Sequence, residues 1–264
     1  MVEFRSFEEF EREAERIVYA ADESGIILRL VGGVGIRYHC TAFSHLYEKL
    51  GRTPKHDMDF ASYSKYRPRM KEFFLEQGYK SYPSLMLLGE AGKRRQIYND
   101  QSGEKAIDIF FDKFVMNHPI DFKDRLELDK PTIPITDLFL QKTQIVELNE
   151  KDIQDLIILL RGHEVGNIET ETVNAEYVAK LLSDDWGFYY TVATNLRTLK
   201  NDVRTYKEKG LLEVEDQSFV NSRIDLLIQR VEEEPKSVKW KLRAKIGTSR
   251  KWYNVVEEVQ RDTL

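Results

Sequence analysis

The chain has 264 residues, of which 41% are hydrophobic and 32% are charged, and its formal net charge is −5. This composition is typical of a globular protein with a hydrophobic core, and the length suffices for two modest domains or for one domain with a helical extension. The net negative charge excludes an overall positive field that would attract nucleic acid, so nucleic-acid binding would need a local basic patch.

Cys40 is the only cysteine in the sequence. A single thiol excludes an intrachain disulfide and a cysteine-based zinc cluster, and it is typical of a reducing compartment. We interpret Cys40 as a small buried hydrophobic residue in preference to a nucleophile. The N-terminus lacks the basic start and the apolar run of a signal peptide, and no apolar stretch approaches the ~20 residues of a membrane span. We therefore expect a soluble, cytoplasmic protein without membrane contact.

The sequence predicts that helices and strands alternate in the first half of the chain. They are a helix that begins at the Ser6–Glu9 capping box and ends near Ala21, a strand at 26–31, a helix at 34–50, a strand at 56–61, a helix at 65–77, and strand-like runs at 79–83, 85–88, 95–98 and 106–111. Glycine and asparagine residues separate the last four runs, as in an antiparallel meander.

From Ile135 onward nearly the whole chain has helical patterning, including tail helices predicted at 173–183, 186–206 and 219–231. The sequence therefore predicts an α+β fold with a mixed or antiparallel sheet, flanking helices and a C-terminal all-helical domain. We place the boundary so that 1–133 form the α/β domain and 134–264 the helical domain.

The most informative stretch runs from the strand at 26–31 to the strand at 56–61. Gly32 and Gly33 follow the first strand and open a helix, and the second strand carries Asp57 and Asp59. Successive side chains of a strand alternate between its faces, so both carboxylates point the same way, roughly 7 Å apart. With 18 aspartates in the chain, chance gives about one such pair, and the alternative interpretation is a solvated loop. The double glycine and the apolar alternation favour a metal and phosphate site.

A third carboxylate, Asp108, interrupts the apolar strand at 106–111. Ile107, Ile109 and Phe111 share one face of that strand, and Asp108 points to the other. A buried carboxylate needs a cation or a donor, so Asp108 is either ion-paired or exposed, or it completes a metal cluster with Asp57 and Asp59. A cluster of carboxylates without histidine or cysteine favours Mg²⁺ or Mn²⁺ over zinc.

Two helices follow the boundary and carry further charged residues. Lys142 lies one turn after Leu138, and Asp152 and Asp155 share one side of the start of the next helix. Read alone, Lys142 is a surface lysine and the two acids stabilise a helix N-terminus.

Five segments of the sequence form one pattern: Gly32-Gly33, Asp57-Met58-Asp59, Ala106-Ile107-Asp108-Ile109-Phe110, Lys142 and Lys151-Asp152-Ile153-Gln154-Asp155-Leu156. Together these segments resemble the nucleotidyltransferase superfamily whose fold is typified by DNA polymerase beta. Among its members they are most similar to minimal bacterial and archaeal enzymes, including the abortive-infection type IV toxins. The resemblance covers about residues 24 to 162. Three features differ from the family pattern: Gly33 where serine is frequent, a longer segment between Gly33 and Asp57, and Lys151 in place of an arginine.

The resemblance implies a role for each matched residue. Gly32 and Gly33 would hold the nucleotide phosphates, and Asp57, Asp59 and Asp108 would bind the metal ions and carry catalysis. Lys142 would contact phosphate or base, and Asp152 would be the acid of the helical motif, so residues 134–162 would complete the active site. The implied enzyme transfers a nucleoside monophosphate from an NTP to a hydroxyl, with Mg²⁺ or Mn²⁺, in a two-metal mechanism.

The acceptor of this transfer stays open: RNA, a protein or a small molecule. An antibiotic-type nucleotidyltransferase and a non-catalytic nucleotide-binding or partner-binding module on the same fold are alternatives, and a toxin would have an antitoxin partner. The segment Lys236–Lys251, within the helical tail at 173–264, has seven basic and no acidic residues, with Trp240 and, just beyond it, Trp252 and Tyr253. It is either a solvated helix face with aromatic anchors or a dock for RNA or an acidic partner.

Overall fold

The computed structural model describes residues 7–53, 57–81, 94–100 and 106–256. Within these ranges the protein is an α+β structure, as the sequence predicts, with a five-stranded mixed sheet and flanking helices. The strands of that sheet are β1 (Leu28–Val31), β2 (Asp57–Ser62), β3 (Tyr79–Ser81), β4 (Arg95–Asp100) and β5 (Ala106–Phe111). Two small two-stranded sheets join β6 (Lys113–Val115) to β7 (Pro119–Asp121) and β8 (Glu164–Gly166) to β9 (Thr172–Asn174).

The strand order in the main sheet is β1-β2-β5-β4-β3. The outer pairs are antiparallel, and only the central pair, β2 with β5, is parallel. The predicted antiparallel meander is therefore confirmed for β3, β4 and β5, while the predicted strand at 85–88 lies outside the described residues. A parallel pair needs a long crossover connection, and the segment between β2 and β5, which contains the helix Arg67–Glu76, β3 and β4, supplies it.

Helices pack on both faces of this sheet. Their bounds are α1 (Phe7–Glu23), α2 (Gly32–His39), α3 (Ser44–Lys49), α4 (Arg67–Glu76), α5 (Ile135–Thr143), α6 (Glu150–Gly162), α7 (Ala175–Asp184), α8 (Trp186–Glu208), α9 (Val214–Glu233) and α10 (Val238–Ile246). One face of the sheet, which includes Met58, Phe60, Ile107 and Ile109, buries its side chains with those of α1 and α4.

The opposite face of the sheet belongs to a larger core. Val31, Ala61 and Phe110 join that core, which continues through α5 and α6 to Val231 of α9. Hydrophobic packing therefore connects the α/β part with the helical part across residues 133 and 134. The proposed division into two domains at this point stays a prediction.

The helix predicted at 34–50 is interrupted at Cys40. Helix α2 ends at His39, a 3-10 turn spans Thr41–Phe43, and α3 resumes at Ser44. The interruption redirects the chain, so that the Phe43 ring lies against Gly162 at the end of α6. Helix α2, the 3-10 turn and α3 therefore account for most of the long segment between Gly33 and Asp57. The Ser6 cap of α1 lies outside the described residues.

Candidate functional site

The predicted carboxylates lie on the two central strands of the sheet. Asp59 of β2 is the direct partner of Asp108 of β5, and Asp57 is the partner of Ala106. Partners in neighbouring strands lie about 5 Å apart and project from the same face, so the Asp59 and Asp108 side chains lie next to each other. The backbone of Asp57 is two residues earlier on the same strand, which assigns it to the same face. The side chain of Asp57 lies outside the described part of the structure.

The double glycine lies directly beside this pair. Gly32 has a φ of +68°, and a Cβ atom added to it would lie 3.1 Å from Oδ2 of Asp59. The missing side chain of Gly32 therefore leaves the space in front of the carboxylate open. The backbone N–H of Gly32 donates to Oε1 of Gln141 on α5 at 3.0 Å, which ties the turn to the helical part.

Asp108 is almost fully buried, with 2% of its surface exposed. Its Oδ2 atom accepts a hydrogen bond from Arg95 of β4, an arginine that also lies over the Phe110 ring. Arg95 therefore supplies one of the counter-charges of Asp108. A divalent ion bound at Asp59 and Asp108 would have to displace this guanidinium or share the carboxylate with it.

Lys142 lies in a buried ion-pair cluster that also contains Arg52, Asp152 and Asp155. Its ammonium group is 2.8 Å from Oδ1 of Asp152 and 2.9 Å from Oδ2 of Asp155. Arg52 donates from Nε to Oδ1 of Asp155 at 2.8 Å and from its guanidinium to Oδ2 at 3.2 Å. The two acids and two bases balance, so the cluster is neutral as a whole.

The pKa values in this cluster follow from burial and charge. Burial would lower the pKa of Lys142, but the charges of Asp155 and Asp152 outweigh it and raise the pKa. Burial would raise the pKa of Asp155, but Lys142 and Arg52 hold it below its ordinary value. Both groups are therefore charged at neutral pH. A contact between Lys142 and phosphate or base, which the resemblance implies, would require this cluster to open.

The cluster touches the glycine turn at Gly33. A Cβ atom on Gly33 would lie 2.8 Å from the Arg52 guanidinium and 3.4 Å from Oδ2 of Asp155. Gly32 and Gly33 are adjacent, so one dipeptide contacts the carboxylate pair on one side and the ion-pair cluster on the other. The structure thus brings together the predicted residues Gly32, Gly33, Asp59, Asp108, Lys142 and Asp152.

Three residues at this site were not predicted from the sequence: Arg52, Arg95 and Gln141. Arg52 follows a turn, Arg95 lies on a short strand next to Asp108, and Gln141 immediately precedes Lys142. Gln141 is 3% exposed, and its Nε2 atom has no hydrogen-bond partner among the described residues. A buried amide donor without a partner, one residue from Lys142 and bonded to the glycine turn, indicates space for an acceptor such as a phosphate oxygen or water.

Cys40 has the structural role expected from the sequence. It is fully buried, and burial raises the pKa of its thiol far above the ordinary value. A protonated thiol enclosed in the core is a poor nucleophile. Covalent catalysis through Cys40 is therefore excluded as an explanation of this site.

The basic segment Lys236–Lys251 forms α10 and the chain that follows it. Its tryptophan and the one just after it pack against α8: Trp240 lies edge-on to Tyr189, and Trp252 donates to Thr191. These half-buried aromatic side chains therefore anchor the segment to α8. Lys239, Lys241 and Lys245 are exposed on α10, where a basic surface remains. Whether it binds RNA or an acidic partner stays a prediction.

Comparisons with known proteins find little similarity. The chain matches no protein-family profile and no curated protein. Among solved structures, the solution structure of the antibiotic-resistance factor ANT(2'')-Ia is similar at a TM-score of 0.34 and 12% sequence identity, over 92% of this chain and 96% of that chain. In the part of the chain that the structure describes, no helix has the length and apolar character required to cross a membrane.

Proposed function

We propose that the protein is a metal-dependent nucleotidyltransferase that transfers a nucleoside monophosphate from an NTP to a hydroxyl group. The observation that carries this proposal is the pairing of Asp59 with Asp108 on adjacent strands, with Gly32 leaving open space at the Asp59 carboxylate. Carboxylates on a rigid sheet beside a glycine turn at a helix N-terminus suit a hard divalent ion and a phosphate chain.

The donor set fits Mg²⁺ or Mn²⁺. Asp57, Asp59 and Asp108 would hold the metal, because oxygen donors alone are what these ions prefer. When bound, the metal supplies charge stabilisation for the phosphoryl oxygens. Gln141 would donate its open Nε2–H to a phosphate oxygen, and the Gly32 and Gly33 turn would admit the phosphates close to the backbone.

In the proposed reaction the acceptor hydroxyl oxygen forms a bond to the α-phosphorus of the NTP, and the bond to pyrophosphate breaks. The hydroxyl proton passes to Asp108 or to solvent held by it. Arg95, which bonds to Asp108, would then be available for the negative charge of the phosphates. As in other phosphoryl transfers, the protein contributes mainly position and charge.

The test is an assay with radiolabelled NTPs and Mg²⁺ that follows both pyrophosphate release and label transfer to RNA, protein and small hydroxylated acceptors. We expect Asp57→Asn, Asp59→Asn and Asp108→Asn each to lower the rate about 100-fold or more, because several kcal/mol of transition-state stabilisation are lost. Asp225→Asn is the control, since Asp225 is exposed and pairs with Lys200 at the surface. Equal transfer by the wild type and by the three site variants would remove the assignment.

The proposal extends to a toxin role, in which the partner would be an antitoxin protein. If the activity modifies an essential acceptor, expression should arrest growth, the arrest should be relieved by Asp59→Asn, and a protein encoded next to it should act as antitoxin. Growth arrest that persists in the Asp59→Asn variant would separate toxicity from this site.

A second candidate function is a nucleotide-binding module without catalysis. It is favoured by the ion pairs of the site, because Asp108 is bonded to Arg95 and Lys142 to two acids. Nucleotide binding that depends on Mg²⁺, without pyrophosphate release from any NTP, would support this candidate over the enzyme.

A further inference from the structure

A second group of ligand-type side chains lies at the far end of α2 from the glycine turn. One nitrogen of His39 and one carboxylate oxygen each of Asp129 and Glu171 lie within 4.8 Å of one another. A second imidazole joins them, because Nδ1 of His163 is 3.6 Å from Oε2 of Glu171. The two His side chains are buried, with 4% and 5% of their surface exposed. This group shares no residue with the carboxylate site.

The tautomer of His39 follows the direction of the Thr132 hydroxyl. Nε2 of His39 is 2.6 Å from Oγ1 of Thr132 and 3.6 Å from Oδ2 of Asp129. With the Thr132 proton directed to the carbonyl of Ile133 at 2.8 Å, Nε2 of His39 donates. In a neutral imidazole the other nitrogen, Nδ1, then carries a lone pair.

That lone pair faces a carboxylate. Nδ1 of His39 is 2.9 Å from Oε1 of Glu171, so two acceptors meet at hydrogen-bond distance. Such a contact needs a positive species, either a proton on the ring or a metal ion.

His163 contacts the same glutamate. Its Nε2 atom is 3.5 Å from Sγ of Cys40, and its ring also makes a hydrogen bond to the backbone of Glu171. One carboxylate is thus contacted by two buried imidazoles, by His39 at Oε1 and by His163 at Oε2.

The backbone holds Glu171 in place for this role. Its φ of +48° is in the left-handed region, which non-glycine residues seldom adopt. Glu171 directly precedes β9, and β8, the strand that pairs with β9, begins directly after His163. Strain of this kind persists where the surrounding structure fixes it, often at ligand sites.

We propose that His39, His163 and Glu171 bind one transition-metal ion of the zinc class, with Asp129 close to the His39 ring. Nitrogen and carboxylate donors together select such an ion over Mg²⁺. The 3.6 Å between Nδ1 of His163 and Oε2 of Glu171 is close to the roughly 3.4 Å that separates neighbouring ligands in a tetrahedral shell with zinc bonds of about 2.1 Å. Thr132 and Cys40 orient the rings from the opposite nitrogens, as outer partners of metal-bound histidines do.

The proposed ion connects the two parts of the chain. His39 ends α2 and Asp129 precedes α5, whereas His163 follows α6 and Glu171 precedes β9. The metal therefore fastens the helical part to the α/β part, at a distance from the carboxylate pair. Its role is structural, and it stands whether or not the chain transfers nucleotides.

The test is titration of the metal-stripped full-length protein with Zn²⁺ by calorimetry, and with Co²⁺ by visible absorption, in excess Mg²⁺. We expect one ion per chain. We expect the double variant His163→Gln with Glu171→Gln to lose this ion, and Thr132→Val to weaken its binding about tenfold or more. Asp59→Asn and His45→Gln, a change at an exposed histidine, should bind zinc as the wild type does.

Three outcomes would overturn the proposal: no stoichiometric zinc on the wild type, unchanged binding by the double variant, or loss of the ion in Asp59→Asn. If the double variant fails to fold, anomalous scattering at the zinc edge from crystals of the wild type decides the question. A peak between His39 and Glu171 supports the site, and its absence from zinc-soaked crystals contradicts it.

Discussion

Two physical constraints act on Gly32. Its φ of +68° is costly for any residue with a Cβ, and that Cβ would lie 3.1 Å from the Asp59 carboxylate. Gly51 has a similar φ of +70°, but among the described residues, its chain neighbours apart, no atom lies within 4 Å of its Cβ position. Substitutions at these two positions therefore distinguish the effect of backbone strain from an effect on the Asp59 carboxylate.

We expect Gly32→Ala and Gly51→Ala to destabilise the fold by a similar amount, about 1–2 kcal/mol. Only Gly32→Ala should lower the rate of nucleotide transfer, because it displaces Asp59. Urea unfolding and kcat/KM for the two variants check this. Parallel losses of activity in both would show that strain alone is responsible.

His118 makes the stability of the fold depend on pH. It is 2% exposed, stacks on Phe188 at a centroid distance of 5.0 Å, and lies 2.8 Å from Oγ1 of Thr191. Burial lowers its pKa from 6.5 to about 4, although Asp185 opposes the shift. The unfolded chain therefore binds a proton at His118 below pH 6.5 that the folded chain does not, and stability falls as the pH falls from about 6.5 to about 4.

Between pH 7 and pH 5 this residue is expected to cost the wild type about 2 kcal/mol of unfolding free energy. In His118→Gln the difference between the two pH values should shrink by that amount, whatever the absolute stability. Urea unfolding at both pH values measures it, with His45→Gln as the exposed-histidine control. An unchanged pH dependence in His118→Gln would refute the assignment.

At the scale of elements, Asp155 is the residue that binds α6 to the rest of the site. It accepts from Arg52, which follows α3, and pairs with Lys142 of α5, and it is fully buried. Asp152, one turn earlier on the same helix, pairs only with Lys142 in this cluster. Removing Asp155 would leave two buried cations short of charge, whereas removing Asp152 affects one.

We expect Asp155→Asn to destabilise the protein by about 3 kcal/mol or more, and Asp152→Asn by clearly less. Thermal and urea unfolding of both variants provide the comparison. A larger loss in Asp152→Asn would mean that the cluster is organised around Lys142 instead.

Local patterns in the sequence were sufficient to predict which faces of these strands and helices carry the apolar and the charged residues. The alternation around Asp57, Asp59 and Asp108 predicted strands with apolar residues on one face, and the structure has Met58, Phe60, Ile107 and Ile109 in one core. Asp152 and Asp155 share a side of α6, as their spacing predicted, and the structure shows that both contact Lys142.

Other features depend on contacts between distant parts of the chain. The parallel register that sets Asp59 beside Asp108 is not encoded in either strand alone. Arg52 and Arg95 have no local pattern, because their roles come from Asp155 and Asp108 across the fold. The break at Cys40 also escaped prediction, since helical periodicity continues through it.

At the scale of the whole molecule, the basic surface of α10 is the feature that bears on the acceptor. Lys239, Lys241 and Lys245 are exposed, and Val238, Leu242 and Ile246 are exposed on the same helix. Of the nearby acids, Glu232 pairs with Arg197 and Glu234 with Arg230, while Asp184 lies 3.8 Å from the ammonium group of Lys239.

If RNA is the acceptor, changing Lys239, Lys241 and Lys245 to glutamate should raise the KM for RNA about tenfold or more at low salt, with little effect on the KM for NTP. The control is Lys207→Glu with Lys209→Glu, two exposed lysines at the end of α8. An unchanged KM for RNA would assign α10 to another partner.

If the proposed nucleotide transfer is correct, a site that needs β2 paired with β5 can become active only late in synthesis. Asp59 leaves the ribosome well before Asp108, and the helices that carry Lys142 and Asp155 emerge later still. An incomplete chain lacks the third carboxylate, so we expect it to be chemically inert. For a product that harms its host, this order would protect the translating cell, and transfer activity in a synchronised translation reaction should appear only with the finished chain.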